Sequence, residues 1–282
     1  MQPYWTKLSQ WDTQINAWTR KRTVKKALPL LTRIFLVATF IEDSVRGILQ
    51  RKLQILFLQH IYRVPYFLAA AFLFSCIIMA LGASSCIVLR WHEDRAAWML
   101  LGYIALQQAL YGKYAPQGKW GFFVRNLCIC GSLLILVANS RLKKGYALLP
   151  GLGKSANAAS HSRFPEYIQL ASRCLMALLS LEFVTSMGWI GTLLSLPVVL
   201  SVLVGFKTQL CALLLMGLYA IHNVLASAFW YLHNAGASWE VDIQRDVKLF
   251  EFVQTISIMG GLGLLSSSGP GALSFDEQRK KY

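Results

Sequence analysis

Long apolar runs alternate along this chain with short connections rich in Lys and Arg. The clearest runs are LPLLTRIFLVATFI (28–41), VPYFLAAAFLFSCIIMALGASSCIVL (64–89), WMLLGYIALQQALYG (98–112) and WIGTLLSLPVVLSVLVG (189–205). A helix rises about 1.5 Å per residue, so about 20 such residues cross a hydrocarbon core of about 30 Å. Read this way, the pattern predicts eight helices, at 28–49, 64–89, 95–113, 120–138, 167–187, 189–205, 207–232 and 248–267. The expected fold class is an all-α polytopic membrane protein with about eight transmembrane helices.

Composition points the same way. The chain is 55% hydrophobic and 15% charged, whereas soluble domains carry roughly 25% charged residues. Its first 27 residues are polar and basic, with no short apolar core before a cleavage site. The first span, rather than a removable signal peptide, is therefore expected to start insertion. The net charge of +15 raises nucleic acid as a partner, but the basic residues cluster between apolar runs, as topology signals do. With the N-terminus cytoplasmic, 17 Lys and Arg fall on the cytoplasmic side, seven opposite and four within spans. That imbalance predicts both termini in the cytoplasm. All six cysteines fall in predicted spans, which argues against a lumenal disulfide framework.

The expected organisation is a cytoplasmic basic amphipathic segment (1–27), a transmembrane helical domain (28–268) and a cytoplasmic tail (269–282). In the first segment Tyr4, Leu8, Trp11, Ile15 and Trp18 share one helical face, ahead of a basic run, as in a helix lying on a membrane surface. Within the domain, TRIFLVATFIE (32–42) aligns with SRCLMALLSLE (172–182), and FVRNLCICG (123–131) with FVQTISIMG (252–260). Two parallel four-helix repeats, about 28–138 and 167–268, are expected, joined by a cytoplasmic loop at 139–166.

Polar residues inside these spans are costly and mark candidate sites. Arg33 and Arg173 fall in the cytoplasmic halves. Glu42, Asp43, Arg46, Arg125, Asn126, Glu182, His222, Asn223, Glu251 and Gln254 all fall in the opposite halves, a layer suited to a water-filled lumenal pocket. Glu42 and Arg46 are four apart and can pair along the helix; Asp43 competes from three apart, and Arg125 is positioned to neutralise the surplus acid. An interhelical network that locks the bundle is the alternative role for this layer. No catalytic residue, metal site or cofactor is expected. GLGKS (151–155) lacks the earlier glycine of a phosphate loop, His92-Glu93 lacks the second histidine of a zinc-protease helix, and no G-x-S-x-G is present.

Several stretches together resemble the surfeit locus protein 4 family of endoplasmic reticulum cargo receptors. They are LPLLTRIFLVATFIEDSVRG (28–47), FFVRNLCICGSLLILVANSR (122–141), VGFKTQLCAL (204–213) and SIMGGLGLLSSSGPGALSFDEQRKKY (257–282). GFKTQLCAL is also similar to the wider DoxX-like membrane superfamily, some of whose members are oxidoreductase subunits. The resemblance implies a non-enzymatic receptor cycling between endoplasmic reticulum and Golgi. It would bind soluble secretory proteins in the lumen, with COPII and COPI coats as cytoplasmic partners and lipids around it. Arg279, Lys280 and Lys281 near the C-terminus would form a basic retrieval signal, although the tail departs from the usual dilysine ending. A DoxX-like oxidoreductase subunit and a small-solute or lipid transporter are the competing expectations.

Overall fold

The chain's structure, a computed structural model, describes residues 22–114, 118–148, 164–186, 188–232, 239–268 and 274–275. Ten helices form among these residues: α1 Arg22–Leu49, α2 Arg51–Tyr62, α3 Tyr66–Val88, α4 Glu93–Tyr111, α5 Gly118–Leu148, α6 Phe164–Ser186, α7 Gly188–Val204, α8 Thr208–Ala226, α9 Phe229–Leu232 and α10 Trp239–Ser268. No strand occurs among the described residues. Among the described residues four stretches are long and apolar enough to cross a membrane: Tyr66–Val88, Trp120–Arg141, Thr208–Tyr231 and Val241–Ser267. Gly191–Val204 is a shorter apolar helix. Large apolar side chains face outward, among them Ile78, Leu193 and Leu225 at 72%, 74% and 75% exposure, as a lipid-facing surface requires.

Several features differ from the expectation, and the first is that α1 begins at Arg22, six residues before its predicted start. Between the first two predicted spans lies α2, RKLQILFLQHIY, which buries Ile55 and Leu58 against Ala69, Leu73 and Ile77 of α3. It is too short to span, and its polar residues hid it among loop residues. Helix α5 runs on to Leu148, ten residues past the predicted end, so the loop expected from 139 starts later. Helix α10 begins at Trp239, nine residues early, on a polar, charged stretch. The predicted surface helix within 1–27, the GLGKS loop and the basic tail lie largely or wholly outside the described residues.

The centre of the bundle is the antiparallel pair of α1 and α10. Leu36 with Gly260, Thr39 with Ser257 and Gln50 with Asp246 keep one register along it. Small residues permit the close approach: a Cβ on Gly260 would meet the backbone of Leu36 and lie 2.7 Å from Thr32 O. The Thr39 amide then donates to Ser257 Oγ at 3.0 Å, with the two hydroxyls 2.7 Å apart. Overpacked sites cost about 1–3 kcal/mol, and backbone yields less readily than a side chain. Gly260→Ala is therefore expected at or above that range, read as a drop in melting temperature of purified protein. An unchanged melting temperature would show that α1 and α10 are not held in this register.

Helices α5 and α6 pack on the same centre. Gly131 lies under Leu175 and Met176, and Gly261 under Ser132. These contacts give the bundle two ends. At one, Arg33 meets Glu93 at 3.1 Å and Arg141 meets Asp94 at 3.3 Å. At the other, the last turns of α1 and α4 come together with the early turns of α5 and α10.

Candidate functional site

The second end holds the acidic cluster of α1. Arg46 Nη2 is 2.6 Å from Asp43 Oδ1 and 3.4 Å from Glu42 Oε2. The nearer partner is thus the one three residues away, not the one four away. All three side chains are largely withdrawn from the surface, at 4% exposure for Asp43, 13% for Glu42 and 28% for Arg46. The guanidinium carbon lies over the ring of Phe250, 4.5 Å from its centroid, a cation–π contact.

The second oxygen of Asp43 accepts from Gln107 Nε2 at 2.8 Å, and the same nitrogen is 3.1 Å from Tyr103 Oη. This corrects the expectation for Arg125, which lies near His222 on the α8 side. Both oxygens of Asp43 are therefore engaged. Two carboxyl groups share one guanidinium, so the cluster keeps one carboxyl group, that of Glu42, without a close cation of its own.

A cavity of about 220 Å³ opens beside this cluster. Its walls include Asp43, Arg46, Gln54, Phe57, Cys76, Tyr103, Gln107, Tyr111, Phe122 and Phe250. Adjoining it is a second hollow of about 410 Å³, apolar throughout except for one phenol, between α2, α3 and α4. Leu58, Tyr62, Val64, Leu68 and Ala69 line it, and Phe72 and Leu110 are shared with the first. A polar head with an apolar extension is the form of a site that holds a small charged group and its hydrophobic neighbours.

Of the ten residues singled out in the sequence, Asp43 and Arg46 line this cavity, and Glu42, outside its lining, contacts Arg46 at 3.4 Å. The others among the described residues do not line it. Asn126 donates to Gln108 Oε1 at 3.0 Å, Asn223 donates to Phe252 O at 3.0 Å, and Glu251 holds Lys248 at 3.2 Å. Gln254 is fully buried, and neither amide atom has a hydrogen-bond partner. His222 is half-buried near Arg125 and Lys248. Glu182 belongs to α6, but its side chain lies outside the described residues. The sequence reading passed over Gln107, which completes the cluster, although QQ inside WMLLGYIALQQALYG was a visible polar interruption. It also passed over the aromatic wall, because Phe and Tyr in an apolar run carry no signal of the face they occupy.

Among the described residues no group of His, Cys, Asp and Glu is arranged to hold a metal ion.

No solved structure matches the chain. Curated relatives do. The ER-derived vesicles protein ERV29 of Saccharomyces cerevisiae is 31% identical over 261 residues, covering 92% of this chain and 79% of the relative. A surfeit locus protein 4 homolog of Drosophila melanogaster is 30% identical over 268 residues, covering 92% of each. One of Schizosaccharomyces pombe is 29% identical over 262 residues, covering 90% of this chain and 82% of the relative. The SURF4 family model matches residues 8–282, and on that match and these identities the chain belongs to the SURF4 family.

Proposed function

We propose that this protein is a transmembrane receptor that binds soluble secretory proteins in the endoplasmic reticulum lumen and promotes their vesicular export to the Golgi. The observation that carries the reading is the carboxyl-headed cavity opening onto an apolar hollow at one end of the bundle. Membership in a family whose yeast relative is named for vesicles derived from the endoplasmic reticulum supports it.

The resemblance to the surfeit locus protein 4 family implies cargo held near its mature N-terminus, and this geometry suits such a ligand. Its ammonium group is a compact cation, and the Glu42–Asp43 pair holds one carboxyl group more than Arg46 can serve. The first few side chains would enter the apolar hollow, a mode of terminal-amine capture known in peptide recognition. Eight spans with both termini in the cytoplasm place this end on the lumenal side. The basic-residue imbalance supports that topology, as do helices at each of the eight predicted positions. COPII and COPI coats would then act on the cytoplasmic face, with Arg279, Lys280 and Lys281 returning the empty receptor.

The two-repeat organisation gains support from two matching turns. Arg90 and His92 have positive φ angles of 61° and 49° between α3 and α4, and Gly205 and Lys207 have 80° and 42° between α7 and α8. The halves differ where α2 stands: a single residue, 187, separates α6 from α7. That shorter link contributes to the unequal offsets between the aligned segments.

A peptide with an apolar start and a free α-amine, fitted with a photocrosslinker, should label the purified protein. The same peptide acetylated at its N-terminus is expected to compete at least ~10-fold more weakly, the equivalent of about 1.4 kcal/mol. Equal competition by the two would rule out amine recognition at this cavity.

A further inference from the structure

The two matching turns differ in charge. In each, a helix ends, the chain passes through two left-handed residues, and the next helix starts one residue later. The Trp91 amide donates to Cys86 O at 2.9 Å in the first, and the Phe206 amide to Ser201 O at 2.9 Å in the second. The helix after the first turn begins with Glu93, which takes the guanidinium of buried Arg33 at 3.1 and 3.2 Å. The helix after the second begins with Thr208, a neutral residue, buried, whose Oγ1 has no hydrogen-bond partner.

A guanidinium lies beside the second turn as well. Arg173 of α6 is 1% exposed, and its Nη1 is 2.5 Å from where a Cβ on Gly205 would stand. Its Nε and Nη1 have no hydrogen-bond partner, and no carboxylate among the described residues pairs with it. A charge withdrawn from water without a counter-charge is strongly disfavoured, so the arrangement calls for an anion. Lys207 caps the turn, and α8, 19 residues long, directs the positive end of its dipole into it. On the flanking helices Leu200, Val204 and Leu214 are 49%, 56% and 47% exposed, so the turn stands at the end of an apolar surface where lipid headgroups lie.

We propose that the α7–α8 turn binds the phosphate of an anionic phospholipid headgroup, with Arg173 as its charge partner and the Thr208 hydroxyl as a donor, in preference to the zwitterionic headgroup of phosphatidylcholine. The phosphate supplies in the second half of the bundle what Glu93 supplies in the first. Ser274 and Phe275 of the tail pack on the same turn, with Ser274 Cβ 2.6 Å from the Gly205 position and the Phe275 ring 6.2 Å from Phe206. Lipid and tail therefore meet at one place.

The test uses the full chain in phosphatidylcholine nanodiscs, with and without a minor fraction of phosphatidic acid, read as melting temperature. Phosphatidic acid should raise the wild-type value by about 2–4 °C, the shift a one-kcal/mol gain produces in a chain of this order of size. Arg173→Met should lose that response. Thr208→Glu, which rebuilds the Arg33–Glu93 pairing, should melt higher than wild type in phosphatidylcholine alone and not respond to phosphatidic acid. It keeps the proposal open to test if Arg173→Met fails to fold. Inorganic phosphate added to phosphatidylcholine discs separates the sources: no effect ties the site to lipid, and an equal rise gives the phosphate role to solution, against the lipid proposal. A response of equal size in wild type, Arg173→Met and Thr208→Glu would overturn the site. So would a phosphatidic-acid-insensitive wild type that melts lower only when Asp276 and Glu277 are changed to Asn and Gln, since the tail would then be the counter-ion.

Discussion

Replacing Arg46 by methionine is expected to remove about 3–5 kcal/mol of stability, the cost of breaking a buried ion pair from one side. Asp43 and Glu42 would be left with no cation at 2.6 or 3.4 Å, and both are more deeply buried than Arg46 itself. Gln107 would still serve one oxygen of Asp43, and nothing described would replace the guanidinium at the other. Domains are stable by roughly 5–15 kcal/mol, so a loss of this size is a large fraction of the whole. Steady-state abundance should fall several-fold, measured by quantitative immunoblot beside the melting temperature of purified protein. Arg46→Lys should fall between, because it keeps the charge but loses the planar face that lies over Phe250. Normal abundance of Arg46→Met would mean that the cluster does not hold α1, α4 and α10 together.

The second large effect is on binding alone. Cys76 of α3 is half-buried on the wall of the 220 Å³ cavity and takes no part in the Asp43–Arg46–Gln107 network. Cys76→Phe should fill the cavity while leaving the protein abundant, since the ring enters existing space rather than a packed core. On the proposed function, export of secretory proteins should fall to the level of cells lacking the protein. Full export by a well-expressed Cys76→Phe would place the binding site elsewhere. Read together, the two substitutions separate the cluster's structural role from the cavity's occupancy, which sequence alone left as alternatives.

Much of the helical layout was legible because apolar runs of the right length have few other uses. The predicted 64–89 and 95–113 are α3 and α4 to within two residues at each end. What failed was polar helix: α2, the last ten residues of α5 and the first nine of α10 look like loop when apolarity is the signal. The face that each polar residue presents was not legible. Asn223 and Glu251 were expected in one polar layer around a pocket, whereas Asn223 faces the Phe252 carbonyl and Glu251 faces Lys248. Rotation of a helix about its axis depends on the neighbours it packs against, and an apolar helix with lipid on one side offers little contrast to set it. Gln107 shows the same limit, since a neutral amide in an apolar run reads as tolerable until Asp43 is seen 2.8 Å away.

The central claim is that this cavity selects cargo by the carboxyl group that Arg46 leaves over. Its most direct measurement is a quantitative secretome of cells depleted of the protein and rescued with wild type or Glu42→Gln. That substitution leaves the 2.6 Å Arg46–Asp43 contact in place and removes the charge of Glu42, with its longer 3.4 Å ion pair to Arg46. The account predicts that a defined set of secreted proteins is lost on depletion, restored by wild type and not restored by equally abundant Glu42→Gln. Full restoration by Glu42→Gln, or a secretome that depletion leaves unchanged, would contradict it.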